Sequence, residues 1–358
     1  MIKDCNKKNI LIVSNMYPSE EFPFFGTFVK NCESVLVEND FVVDKVVIDE
    51  KSSNLFNKFK IYIVFYFCVL RKLFLGNYDY VYGHYVSHVS IPLLIYRLFN
   101  SKIDIVIHVH GGDIKKLDGT SSVFFKVKRF LSASILKKSS KIIVPSYAYK
   151  AFLNEAFNFT TLSEIIVYPS GGVDRNVFYS DKEKRTFKHR LGFAGRLVRS
   201  KNVHLILHAL SQTSNFTLEI VGEGPESTRL IQLVDKLNLR HRVFFYDAKS
   251  QSELADWYRS IDCLVYPSES ESLGLVPIEA MSCGSSVILS DIPAFREFRS
   301  NGFDIHLVAT LEAQAILDKL VYCKASGNGF VDSNNNINVV TEKYCRDKVQ
   351  RDLLNVFK

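Results

Sequence analysis

Two carboxylates, Glu271 and Glu279, stand eight residues apart in the segment Pro267-Ser-Glu-Ser-Glu271-Ser-Leu-Gly274-Leu-Val-Pro277-Ile-Glu279-Ala, directly after the apolar run Cys263 to Tyr266. On one continuous helix that spacing would set them about 80° apart in projection and more than about two turns apart in height. Gly274 and Pro277 point instead to a loop that becomes a helix at Pro277, because proline is well tolerated in a first helical turn. Glu271 then belongs to the loop and Glu279 to the first turns. The amides near Gly274 would face a phosphate, and the two carboxylates would accept hydrogen bonds from sugar hydroxyls on either side. The plainer alternative is two solvated acids stabilised by the helix dipole.

Other loops carry complementary groups. After the run Arg190 to Ala194 comes Gly195-Arg196-Leu197-Val198-Arg199-Ser200-Lys201, with two cations, Arg196 and Lys201, placed to meet a diphosphate. Charge-assisted hydrogen bonds of this kind contribute about 1.5 to 3 kcal/mol each. Gly222-Glu-Gly224-Pro225 follows another run, and such a turn lets backbone amides approach an anion, although glycine in a strand-to-helix turn often has a purely steric reason. In the first half, Pro18-Ser-Glu-Glu-Phe-Pro23-Phe-Phe-Gly26-Thr27 forms a loop in which Gly26 permits close approach. His108-Val-His110-Gly111-Gly112-Asp113 ends another run. Alternation along a strand gives His108 and His110 opposite faces, so His110 is the better ligand-facing candidate and a zinc site is not expected. His84 either faces the same ligand or packs as a core histidine.

The elements needed to hold these loops are legible as short apolar runs alternating with helix-like stretches, the pattern of parallel βαβ units. Strands are expected at Ile10 to Ser14, Val42 to Ile48, Tyr80 to Gly83, Ile105 to His108, Lys141 to Pro145 and Ile165 to Tyr168. A second series is expected at Arg190 to Ala194, Thr217 to Val221, Val243 to Phe245, Cys263 to Tyr266 and Ser286 to Ser290. The Ser-Gly-Gly-Val-Asp segment after Pro169 and the charged stretch Ser180 to Arg190 suit an interdomain connection. Asp332 to Asn338 reads as a loop, and Thr341 to Phe357 as one helix. The fold expected is α/β, with two Rossmann-like domains of parallel sheets. In loops after such strands, ligands bind outside the carboxyl ends.

With 358 residues, the chain exceeds what one core usually supports. Its seven cysteines form no CxxC pair, which speaks against a disulfide framework or a cysteine zinc site and suits a reducing cytoplasm. No cleavable signal pattern is legible at the start, and the longest apolar run, Ile61 to Leu70, has ten residues where a membrane span needs about 20. Residues 51–150 carry sixteen Lys and Arg against four Asp and Glu, an excess of +12, whereas 151–358 is balanced at 24 against 25. Such an excess attracts a polyanion. Nucleic acid is disfavoured, since no recognised nucleic-acid-binding pattern accompanies the charge. An anionic membrane surface or a diphosphate-bearing substrate fits better, and a solvated basic face is the plain alternative.

In order along the chain, Tyr17-Pro18, Gly26-Thr27-Phe28, His110-Gly111, Gly171-Gly-Val-Asp174, Gly195-Arg196 with Lys201, Gly222-Glu-Gly-Pro225, Glu271 and Glu279 together resemble the family-4 retaining glycosyltransferases of the GT-B fold. The resemblance implies an acceptor-binding domain at 1–170, a nucleotide-sugar-binding domain at 171–340 and a helix at 341–358 returning to the first domain. It implies a UDP- or GDP-sugar donor with no further cofactor and no metal. Arg196 and Lys201 would hold its diphosphate, Glu279 its ribose and Glu271 its sugar, with backbone amides from Gly274 and Leu275. Gly26 and His110 would reach the donor from the acceptor domain, and His84 and Asp113 would belong to the acceptor side. The product would be a growing, lipid-linked surface glycan of the capsule, O-antigen or exopolysaccharide kind. Asp247 and Gly171 depart from the family's usual glycine and asparagine, and the first of these bears on the base contacts. A glycoside hydrolase would also use paired carboxylates but needs no cation pair beside them. A nucleotide-sugar epimerase or a non-catalytic scaffold of the same fold remain the rival readings.

Overall fold

The computed structural model describes residues 7–23, 25–52, 54–111, 114, 122–157, 163–181, 189–325 and 334–358. By packing, the chain divides into two units, one formed by 1–171 with 349–358 and the other by 172–348.

The first unit is built on six parallel strands, β1 Asn9–Ser14, β2 Val42–Val47, β3 Tyr80–His84, β4 Asp104–His108, β5 Lys141–Val144 and β6 Glu164–Val167, in the order β2-β1-β3-β4-β5-β6. Between them run α1 Thr27–Glu38, α2 Leu55–Leu75, α3 Val86–Phe99, α4 Ser122–Leu136 and α5 Tyr147–Phe157. Alternation along β1 sends Ile10 and Ile12 into one core with Val29 and Leu36 of α1. Leu11 and Val13 enter the opposite core with Phe65 and Val69 of α2, Leu93 of α3 and Leu153 of α5. A strand covered on both faces must be apolar at every position, which is why β1 reads as a continuous hydrophobic run.

The second unit repeats the plan with β7 Arg190–Ala194, β8 Thr217–Val221, β9 Val243–Tyr246, β10 Cys263–Tyr266, β11 Ser286–Ser290 and β12 His306–Val308, ordered β12-β11-β10-β7-β8-β9. Its helices are α6 Val203–Ser211, α7 Ser227–Lys236, α8 Gln251–Ser260, α9 Leu275–Ser282, α10 Pro293–Ser300, α11 Ala313–Ala325 and α12 Asn334–Val339. The strands lie where the sequence places them, to within one or two residues at their ends. The short edge strand β12 is an addition to the expected series.

Two sequence expectations fail near the carboxyl terminus. The Asn-rich segment is helical from Asn334. Asn336 is buried, accepts from the Asp304 amide at 2.7 Å and donates to the Asp304 carbonyl at 2.9 Å. These tertiary bonds outweigh the weak helix propensity of asparagine. The stretch from Thr341 is also not one helix. A π turn, Val340–Tyr344, gives way to extended backbone at Cys345, and α13 begins at Arg346 and runs to Val356. The break is imposed by Val173, whose amide donates to the Tyr344 carbonyl at 2.8 Å and whose carbonyl accepts from the Arg346 amide at 2.9 Å. Val340 and Tyr344 belong to the core of the second unit. The chain joins the first unit only from Val349, where Val349, Leu353, Val356 and Phe357 pack with Ile10, Ile12, Tyr80 and Tyr82.

Phe357 is fully buried, edge-on to Tyr82 at 5.0 Å and to Tyr80 at 5.4 Å between ring centroids. Phe357→Ala is expected to destabilise the first unit by about 3 to 5 kcal/mol, read as a lower urea midpoint. A change below about 0.5 kcal/mol, as for an ordinary surface substitution, would contradict this docking of the terminus.

Candidate active site

In the second unit, the loops after β7, β8 and β10 meet at the carboxyl edge of the sheet. Ala194 at the end of β7 stands in register with Val221 at the end of β8. The next residues pack backbone against backbone. The Gly195 amide donates to the Val221 carbonyl, the Leu197 amide to the Glu223 carbonyl and the Glu226 amide to the Leu197 carbonyl. A Cβ at Gly222 would lie 2.2 Å from the Gly195 carbonyl oxygen, and one at Gly224 would lie 2.2 Å from that of Leu197. These two glycines are therefore required by loop-to-loop contact, whatever they do for a ligand.

Arg196 is exposed on this edge. Lys201, closing a short 3-10 turn from Arg199, is mostly buried and donates to the Tyr266 hydroxyl at 2.9 Å. Its ammonium also pairs with the Glu271 carboxylate, and the two side chains are only 17% and 15% exposed. Two loops 70 residues apart in sequence thus share one ion pair. Asn202 locks them together, donating to the Pro267 carbonyl at 3.2 Å, while the Glu269 amide donates to the Ser200 carbonyl at 2.9 Å.

The helix after β10 starts earlier than expected. Gly274 caps it with φ 92°, and α9 begins at Leu275, so Pro277 already lies inside the first turn. The Gly274 conformation belongs to the left-handed region that disfavours a side chain, and a Cβ there would meet the Phe295 ring at 2.6 Å. The amides opening α9 are among the donors that a helix leaves unpaired at its start. Glu279, one turn further on, is a buried carboxyl that accepts a long hydrogen bond, 3.4 Å, from the Tyr258 hydroxyl. Burial pushes its pKa up to about 8, against the opposing pull of that hydroxyl. The Tyr266 hydroxyl lies near both acids. Burial first, then the Glu271 charge, and last that of Glu279 raise its pKa well above the ordinary value. Tyr266 and Tyr258 escaped the sequence reading. Tyr266 could have been found as the last residue of a strand beside the acidic loop, whereas Tyr258 lies on a different helix and carries no local signal.

In the first unit, Gly26 caps α1 with φ 78°. The next helical turn brings Phe28 to 6.2 Å from the His110 ring. His84 ends β3 in register with His108, which ends β4. The expected opposition of His108 and His110 fails, because β4 stops at His108 and alternation no longer governs the following residues. Instead the His110 ring stacks on His108 at 4.3 Å, on Tyr85 at 4.4 Å and on His84 at 5.2 Å. His84 Nδ1 and His110 Nε2 share a hydrogen bond of 3.0 Å, and His108 Nδ1 shares one of 2.8 Å with the Tyr82 hydroxyl. Burial holds all three imidazoles neutral, with His110 lowered to about 3 and the other two well below the usual value.

One nitrogen from each of the three histidines lies within 4.8 Å of the others, so the sequence argument against a metal, that His108 and His110 take opposite faces, does not hold. The rings nevertheless stack nearly parallel, at 20° and 23° for His110 on its two partners. That is the arrangement of packed neutral rings rather than of lone pairs converging tetrahedrally on an ion. The Gly111 carbonyl accepts from the Tyr149 hydroxyl at 3.0 Å. Asp113 lies outside the described residues.

Comparison with known proteins agrees with this architecture. Residues 176–327 match the family described as Glycosyl transferases group 1. The O-antigen chain mannosyltransferase RfbU of Salmonella typhimurium is 32% identical over 245 residues, which cover 67% of this chain and 64% of that protein. The match thus spans slightly less than two thirds of that relative's length. Among solved structures, sucrose-phosphate synthase from Thermosynechococcus elongatus superposes with a TM-score of 0.81 at 17% identity, covering 98% of each chain. HepE of Anabaena in complex with UDP-glucose superposes with a TM-score of 0.73 at 17% identity, covering 98% of this chain and 99% of the other. The chain therefore has the GT-B fold and carries a glycosyl transferases group 1 domain over residues 176–327.

Proposed function

We propose that the protein is a retaining hexosyltransferase of family 4, working at the cytoplasmic side of a membrane. It would move a sugar from a UDP- or GDP-sugar onto a growing, lipid-linked surface glycan. The observation that carries this reading is the grouping of Lys201, Tyr266 and Glu271 beside the exposed Arg196 and the amide-rich start of α9. The naming of one relative as an O-antigen chain mannosyltransferase supports a glycan acceptor, and a fold neighbour solved with UDP-glucose supports the donor class.

Departure of a nucleoside diphosphate builds negative charge on a phosphate oxygen. Arg196, Lys201 and the amides of Gly274 and Leu275 are preorganised donors for that charge. Gly222 and Gly224 keep the neighbouring loop close-packed beneath them. Glu271 holds Lys201 in place and accepts from hydroxyls of the donor sugar. Glu279, with its pKa near 8, is largely protonated at neutral pH in the free protein. It therefore adds little negative charge beside a diphosphate, and a neutral carboxyl can both donate to and accept from vicinal ribose hydroxyls. In the first unit, Gly26, His84, His110 and Asp113 are assigned to substrate binding, with His110 acting as a neutral imidazole. Because protein cations supply the charge stabilisation, no metal is required.

Lys201→Ala should reduce transfer by about 10² to 10³ while the variant melts as a folded protein; near-normal turnover would remove Lys201 from the chemistry. A thermal-shift screen across UDP-, GDP- and ADP-sugars should show selective stabilisation by one class, and transfer with that donor should survive EDTA. Loss of activity in chelator, restored by a divalent cation, would overturn the metal-free reading. Glu279→Gln should weaken donor binding yet stabilise the free protein. For a carboxyl whose folded pKa is raised, the folded state carries a penalty that is absent below the unfolded value near 4.5 and grows up to pH 8. The variant's gain is thus expected to be on the order of a few kcal/mol at pH 8 and small at pH 5. An equal gain at both pH values would contradict the burial of that charge.

A further inference from the structure

The helices α2, α3 and α4 cover one face of the first sheet, yet their outward surface is apolar. On α2, Phe56, Phe59, Ile63, Phe67 and Phe74 follow helical spacing along the side opposite the buried Phe65, Val69 and Leu73. Phe56, Phe59 and Phe67 are 73%, 67% and 66% exposed. A helix of 21 residues extends this stripe over roughly 30 Å. Phe74 meets Phe99, the exposed last residue of α3, at 5.7 Å between ring centroids. On α4, Val123, Phe124, Val127 and Phe130 are likewise exposed.

The charges on these helices have one sign. Across α2, α3 and α4 there are eight Lys and Arg and no Asp or Glu. Lys60 and Arg71 flank the α2 stripe, and among the described residues neither makes an ion pair. No helix among the described residues is long and apolar enough to cross a membrane. An apolar stripe bordered by cations is the composition of a helix that lies in the plane of a bilayer interface, its rings among the acyl chains and its long basic side chains reaching the headgroups.

We propose that this layer, led by α2, docks the protein on an anionic lipid bilayer. A second copy of the same face would oppose cation to cation. Nucleic acid offers nothing to Ile63, Val64 and Val127, which cannot stack on bases. An anionic membrane satisfies both the charge and the apolar surface. A cavity of about 510 Å³ opens at the amino end of α2, with Lys51 and Lys60 beside Ile61 and Val64 in its lining. Lys60 and Val64 belong to both the cavity and the exposed side of the helix, so a lipid-borne group would enter it from the bilayer.

This inference deepens the lipid-linked reading of the acceptor, and its test uses neither donor nor acceptor, so either can fail alone. The full chain is sedimented with phosphatidylcholine vesicles, with and without phosphatidylglycerol, at low and at about 0.5 M salt. Binding is expected to require phosphatidylglycerol and to fall with salt. Phe59→Ser with Phe67→Ser should reduce partitioning at least about tenfold, and Lys58→Glu with Lys60→Glu and Arg71→Glu should remove the preference for anionic lipid. All of these positions are exposed, so melting should stay as in the parent. If the α2 variant fails to fold, Phe124→Ser with Phe130→Ser on α4 provides the same reading. Equal binding to neutral vesicles, or unchanged binding by the phenylalanine variants, would overturn the proposal. So would a parent that ignores vesicles and sediments as a dimer split by Phe59→Ser with Phe67→Ser.

Discussion

Parallel strands held in register finish at one edge of a sheet, and every loop with candidate chemistry in this protein starts from such an edge. In the second unit, β7 ends at Ala194 opposite Val221, and β10 ends at Tyr266 opposite Leu289. In the first, His84 and His108 are register partners at the last positions of β3 and β4. A slip of one residue would turn each of these side chains to the other face, because the strand repeat is two. The continuous apolar runs that bury both faces of each sheet thus also hold Lys201 against Tyr266 and the three imidazoles against one another.

The second unit manages charge with few groups. A mostly buried Lys201 and Glu271 satisfy each other at the cost of desolvation, an arrangement that is seldom a net source of stability. Its merit is positional, since it fixes the ammonium at the sheet edge, in the loop that also carries the exposed Arg196. Glu279 is treated in the opposite way. Buried against Tyr258, it lowers its charge by holding a proton, whereas Glu271, which looks alike in the sequence, is paired with the Lys201 ammonium.

The first unit divides its apolar surface differently. Its sheet is covered on one face by α1 and the end of α13, and on the other by α2 to α5. The layer containing α2 is apolar on its inner side, as any covering helix must be, and apolar again on its outer side. Hydrophobicity on both sides of a helix ordinarily marks complete burial. Here the outer side is left to solvent and edged with cations, and the proposed bilayer docking rests on that composition.

The sequence by itself determined the strands, because runs of β-branched and aromatic residues closed by glycine, proline or charge are short-range features. It also determined that Arg196, Lys201, Glu271 and Gly274 stand just beyond strand ends, since that placement follows from counting residues after each run. Length was the limit for β12, whose three residues are too few to show a period. Only the tertiary structure decided that an asparagine-rich stretch is helical, through the backbone of Asp304, and that the last helix breaks at Cys345 to pair with Val173. Only packing decided that His110 joins His84 and His108, that Lys201 meets Glu271, and that Glu279 is buried under Tyr258. Burial and pairing depend on groups brought together from distant elements, and periodicity along one segment carries no information about what the next element places against it.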